Sequence, residues 1–164
     1  MGLQLPGELI YLLGMLGYTW PEADEQALFQ MGQSWMSFSG DLSGPVEQAH
    51  GHAQQVWSAN TGAAVEAFEK AWNQPDSPRA NLGDATLAAT MVGAGLFVCA
   101  GIVLALKIQV IVQLVMLAIQ IAQAIALAVP TFGASLAQIP IFKMITGILI
   151  DLLIGMALTA ILGG

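Results

Sequence analysis

The sequence predicts an all-α fold of long helices packed along one another, and three observations carry that expectation. Residues 81–129 run without proline, and Ala, Leu, Ile, Val and Met dominate despite Gly93, Gly95 and Gly101. Such residues enter a helix at little cost or bury well once there. Leu28, Met31, Trp35 and Phe38 recur at three- and four-residue spacing, the mark of one buried helical stripe. After a turn at Pro130-Thr131-Phe132-Gly133, a second long apolar segment fills 134–162.

Taken in order, residues 6–16 read as a short helix with Pro6 in its first turn and Gly17 as its stop. Leu9, Ile10, Leu12, Leu13 and Leu16 form its apolar face, expected to pack on the long helix. Trp20-Pro21-Glu22-Ala23-Asp24-Glu25 follows. Proline suits the first helical position and three acids suit the positive end of the helix dipole, so a helix should start there. Gly40-Asp41-Leu42-Ser43-Gly44-Pro45 predicts a kink or short break. Helical stretches then run over 46–57 and 63–72, with Val65, Phe68 and Trp72 on one face of the second. Trp57-Ser58-Ala59-Asn60-Thr61-Gly62 between them is a helix-to-helix turn. Residues 73–80, with two prolines, are a linker.

The long helix should start at a cap supplied by Asn81 or Asp84. Extended over 85–129 it would measure about 65–70 Å, so other helices must lie along it. Lys107 is its only charge. Before Lys107 the segment is apolar on every side and, at about 20 residues, long enough to cross a bilayer. Beyond it Gln109, Gln113, Gln120 and Gln123 fall within an arc of roughly 80° that also holds Met116. A narrow uncharged stripe of this kind is an edge facing water or polar neighbours in a bundle, or else the lining of a pore. In the last segment Pro140 should introduce a kink near the start, and Lys143 and Asp151 are the only charges. Asp151 would cost roughly 2.5–3.5 kcal/mol in mid-bilayer. It is therefore expected on an exposed edge or paired with Lys107 or Lys143.

The chain is 164 residues long, 56% hydrophobic and carries a net charge of −7, with a mean hydropathy of +0.71. One helical domain over 1–164 accounts for this length, with 18–80 as its first half and 81–164 as its apolar second half. Residues 1–84 hold ten acids and two bases, whereas 85–164 hold one acid and two bases. Four basic residues in all argue against nucleic-acid binding through phosphates and give anionic lipid nothing to attract. The single cysteine, Cys99, excludes an intrachain disulfide and reads as core filling. The N-terminus lacks a basic region and has Glu8 within its apolar run, so export would proceed without a cleaved signal peptide.

No catalytic, cofactor or metal constellation emerges. His50 and His52 would point roughly 200° apart on a helix and cannot share a metal; they read as surface histidines. Glu66 and Glu69 read as a wet face, and no phosphate loop or dinucleotide fingerprint occurs. A non-enzymatic protein is expected.

Three features together resemble a known family: Trp20-Pro21-Glu22-Ala23-Asp24-Glu25, the Trp57 to Gly62 turn followed by Val65-Glu66-Ala67-Phe68, and the closing pair of long apolar helices. They resemble the long WXG-type N-terminal domain of actinobacterial polymorphic toxins, an elongated relative of the small WXG helical hairpins exported by type VII secretion. The resemblance covers about residues 18–164. It implies an elongated bundle of two antiparallel helical hairpins, about 21–73 and 81–163, packed as a pseudo-dimer beside the short N-terminal helix. It also implies a non-enzymatic targeting domain that presents a toxin to the export ATPase, with a small WXG-like helical partner or self-association covering what one chain leaves open. Its departures are specific. Four residues separate Trp57 from Gly62 where the family has Trp-x-Gly, and Trp72-Asn73-Gln74-Pro75-Asp76 stands where the family's export signal has Tyr-x-x-x-Asp/Glu. Trp57, Gly62, Trp72 and Asp76 are thus the expected turn and signal.

The alternative is a membrane-inserting, pore-forming helical oligomer. Residues 86–106, 108–129 and 144–162 would span, Gly93, Gly101, Gly147 and Gly155 would allow close helix contact, and the glutamines would line water. Only Lys107 and Lys143 flank such spans, which is a thin positive-inside signal.

Overall fold

The computed structural model describes residues 2–163, and among these every regular element is helical. Helix α1 spans Gly7–Met15, α2 Glu25–Ala59, α3 Ala63–Trp72, α4 Pro78–Ala126 and α5 Ile139–Leu162, with a 3-10 turn at Ala134–Gln138 before α5. The all-α expectation holds. Two compact units are present, Leu28–Val98 and the combination of Met1–Ala27 with Cys99–Gly164.

In the unit Leu28–Val98, α2 and α4 run antiparallel, and the contact is made by small residues. The Ser39 hydroxyl donates to the Thr86 carbonyl oxygen at 2.9 Å and lies 2.8 Å from the Thr90 hydroxyl. A Cβ on Gly93 would stand 3.0 Å from the Gly32 carbonyl oxygen and 3.0 Å from the Met36 side chain. The rings of Phe29 and Phe97 meet at 5.0 Å. Gly32, Ser39, Ala89 and Gly93 are buried along this seam. The expected stripe is therefore corrected: Met31, Trp35 and Phe38 are 52%, 39% and 48% exposed. Their spacing is helical, but close backbone approach selects the small side of α2 and turns the bulky side outward.

The other unit is built around Leu5, Leu13, Val110, Leu114 and Ile150. Leu13 brings α1 onto α4 as expected, with Leu9, Leu12 and Leu16 beside it, although Ile10 is exposed. At the centre lies Lys107, 2% exposed. Its ammonium donates to Glu25 Oε2 at 2.8 Å and sits 5.8 Å from the Trp20 ring centroid. The Leu3 amide donates to the other Glu25 carboxylate oxygen, and the Trp20 indole N–H donates to the Leu3 carbonyl at 3.2 Å. Burial pushes the Glu25 carboxyl upward, but the bonds from Lys107 and Leu3 outweigh it and hold the pKa below the usual glutamate value. Lys107 is thus taken by Glu25 and not by Asp151. Asp151 is exposed, as the other half of that expectation had it, and lies beside the Tyr18 hydroxyl, which donates to the Gly147 carbonyl at 3.0 Å. The Lys143 ammonium lies 3.7 Å from Met15 Sδ.

Several boundaries shift for local reasons. Helix α2 begins at Glu25, not Pro21, because the Asp24 carboxylate accepts the amides of Gln26 at 3.0 Å and Ala27 at 3.1 Å and so caps it. It then runs through Pro45 without a break. Helix α4 begins at Pro78, three and six residues before the expected caps Asn81 and Asp84, with Ser77 Oγ accepting the Ala80 amide at 3.2 Å. Proline at the first position after a serine cap is itself a start signal, so the linker shrinks to 73–77. Pro140 occupies the first turn of α5, where no amide bond is lost, and introduces no interruption.

The helices expected to lie along the long helix leave much of the apolar surface of 85–163 uncovered. In α4 Met91 is 66% exposed, and in α5 Ile148 is 62%. One neighbouring helix covers one stripe, and both α4 and α5 are apolar on more than one side.

Two expected outcomes follow. Lys107→Met leaves Glu25 without its partner and should destabilise the fold by about 3–5 kcal/mol, whereas Glu25→Leu combined with Lys107→Met should recover much of that loss in urea unfolding. Since the folded Glu25 pKa is depressed, the pair's contribution is complete above the ordinary glutamate value of about 4.3 and disappears as pH falls through the lowered one; acid titration of Glu25→Gln should lack that component. Second, Gly93→Val should cost about 1–3 kcal/mol by overpacking, while Gly95→Val, which meets nothing within 4 Å, should stay within about 0.5 kcal/mol by thermal melting.

Candidate functional site

The helix-to-helix turn expected at 57–62 is shorter than expected: α2 runs on to Ala59, so Trp57 lies in its last turn, α3 begins at Ala63, and Gly62 in the 60–62 connection stands at φ 127° and ψ 162°. That backbone conformation strains any residue with a Cβ, so the glycine is dictated by the turn. Folding back at this point lays α3 along the end of α2. The rings of Trp57 and Phe68 then meet at 5.8 Å, and those of Phe68 and Trp72 at 5.7 Å. Aromatic pairs at such separations, tilted rather than stacked face to face, add attraction beyond their buried area.

His50 completes the cluster. Its ring lies 6.3 Å from Trp57, and its Nδ1 accepts the Trp72 indole N–H at 3.1 Å. The surface reading of the two histidines is thus corrected for His50, which is half-buried, and holds for His52, which is exposed. Sequence spacing contained the signal. His50 lies seven residues before Trp57, two helical turns along the same face of α2.

Trp57 and Trp72, expected to belong to one signal, therefore stand in one chain of ring contacts, with Phe68 between them. Both tryptophans are half-buried. Asp76 lies beyond, in the 73–77 connection; it is exposed, and its main-chain carbonyl accepts from the Asn81 side-chain Nδ2 at 3.3 Å. Trp20 and Glu25, expected as a helix start and as part of the family resemblance, also hold Lys107.

The glutamine stripe remains accessible. Gln109 and Gln123 are exposed, Gln113 and Gln120 half-buried, and Met116 lies exposed among them. Gln109 also borders an open apolar groove between α4 and α5, with Ile102, Leu106, Leu153 and Met156 among its walls. Among the described residues, no group of three or more His, Cys, Asp or Glu side chains is arranged to hold a metal ion. Cys99 is a half-buried free thiol.

Comparison with known proteins gives one result. A family model described as a WXG100-like domain matches residues 5–148. No curated protein and no solved structure matches the chain. Because the match extends from just before α1 into the third turn of α5, it takes in the small-residue seam and the turn alike, and the chain belongs to the family of WXG100-like domains.

Proposed function

We propose that this chain is a non-enzymatic targeting domain for type VII secretion, recognised through its helical surfaces. Family membership supports the secretion setting. The observation that carries the reading is the aromatic cluster at the α2–α3 turn, where Trp57, Phe68 and Trp72 are linked ring to ring and His50 fixes the last indole. A rigid aromatic surface with polar edges is what a recognition hot spot requires. Asp76, four residues after Trp72, adds an exposed carboxylate for a basic contact on the export ATPase. In this reading the domain would steer a fused toxin to the secretion machine.

A helical partner or a second copy fits the same picture. Met31, Trp35 and Phe38 form an outward stripe on α2, with Trp35 and Phe38 meeting edge to face at 6.0 Å. Leu87, Met91 and Val98 form another on α4. Their heptad-like spacing suits a helix laid alongside.

A second reading, membrane insertion as an oligomeric pore, is favoured by one specific observation. Two helical segments, Pro78–Ala126 and Ala134–Leu162, are long and apolar enough to cross a membrane, and only 28% and 11% of their most apolar windows are buried. The Glu25–Lys107 pair would keep the charge within α4 neutralised in such a setting. The glutamine stripe would then line the water-filled side.

Replacing Trp72 by Leu and Asp76 by Asn together should keep the helix content and cost only about 0.5–1.5 kcal/mol of stability through the lost ring contact, while weakening engagement of the export ATPase by about thirtyfold, the loss expected for a hot spot of about 2 kcal/mol. Secretion of the double variant at the wild-type level would remove the proposed signal. Mass measurement by size exclusion with and without detergent separates the two readings. The targeting domain should remain soluble without detergent, whereas the pore should require detergent and release dye from vesicles.

A further inference from the structure

We propose that His50 is a positioning residue for Trp72 and makes the aromatic surface sensitive to pH; the proposal rests on the reading that this surface is the export signal. The geometry is direct. The Trp72 indole N–H can only donate, and it points at His50 Nδ1 across 3.1 Å. The bond therefore requires a neutral imidazole carrying its proton on Nε2. Taking a proton from solvent onto Nδ1 turns the acceptor into a donor, so two N–H groups face each other and the bond is lost. The bond to Trp72 is the contact that protonation removes, while the Trp57 ring remains a neighbour of His50 at 6.3 Å.

The bond also joins α2 to α3 across the turn. Its loss frees the indole that ends the series Trp57, Phe68, Trp72. A fixed ring loses less freedom on binding than a mobile one, so recognition should be strongest with His50 neutral. Charged groups lie around it within one or two helical turns by register. Glu47 precedes it by three residues on α2 and His52 follows it by two. Glu66, Glu69 and Lys70 belong to α3. Arg79 is in the first turn of α4, and the antiparallel register that pairs Gly32 with Gly93 sets it opposite residue 46. Acids and bases are thus both present, and the hydrogen bond to Trp72 is the specific contact that depends on the imidazole's proton.

The test follows the indole N–H resonances of the full ¹⁵N-labelled chain, with Trp72 identified by Trp72→Phe. Between about pH 8 and 5, where histidine changes charge, the Trp72 signal should move upfield with the midpoint of the His50 ring protons. In His50→Asn the side-chain oxygen takes the place of Nδ1 without titrating, so the signal should hold its neutral-pH position throughout, and export should be retained. In His50→Leu the signal should sit at its acid position at every pH, and export should fall. A Trp72 signal that stays fixed in the wild type, or one that titrates identically in His50→Asn, overturns the proposal. Should the wild-type titration appear while Trp72→Leu is secreted normally, the coupling stands and the export reading of the surface falls instead.

Discussion

A lysine in the middle of a long apolar helix has to be neutralised before anything can be packed around it, and the solution found for Lys107 organises one of the two units. Glu25 supplies the charge, Trp20 supplies a ring face, and Leu3 supplies an amide to the carboxylate and a carbonyl to the indole. An ion pair this deep gains little over a hydrophobic pair of similar volume, since desolvation cancels most of the attraction. What it provides is selectivity of placement. Only one register of the N-terminal segment on α4 brings the acid to the base, and that register also brings Leu5 and Leu13 against Leu114. The apolar contacts alone, between many similar aliphatic residues, would tolerate several.

That economy explains which parts of the fold were legible in the sequence. Helix existence came from composition and spacing, and the turns at 57–62 and 130–133 came from the glycine and proline that punctuate them. The helix starts were misplaced because caps compete: Asp24 and Ser77 win over Pro21 and Asn81 through side-chain bonds that composition does not rank. The seam between α2 and α4 was misread for another reason. Hydrophobic periodicity finds the bulky face of a helix, and here the bulky face is turned out so that Gly32 and Ser39 can approach Gly93 and Thr86. At the candidate site, Trp57, Gly62 and Trp72 were legible as a motif, but the acceptor role of His50 was not. It depends on α3 folding back upon α2, a tertiary event with no local signature beyond the seven-residue spacing.

The same outward turn leaves this chain with more apolar surface than its own helices cover. On α2 it is aromatic, at Trp35 and Phe38; on α5 it is aliphatic, at Ile145, Ile148 and Leu152. The two surfaces call for different company. Aromatic residues with polar edges suit a specific protein contact, and an aliphatic belt whose charges are Lys143 and Asp151 is indifferent to the identity of what covers it. If the chain is the targeting domain proposed above, it gains from having its aromatic cluster at the opposite chemical extreme from this belt, tied by the hydrogen bond from Trp72 to His50.

The crossing of Gly32 and Gly93 also bears on how this chain can vary through inheritance. A glycine codon altered at one base gives, whenever the residue changes and translation continues, a residue with a Cβ. At position 93 that atom meets a main-chain carbonyl oxygen at 3.0 Å, and at position 32 it meets the Phe97 ring at 2.8 Å. Neither codon therefore has a one-step missense neighbour that preserves the spacing, and drift along this seam must begin elsewhere, by first relaxing Phe97 or Met36.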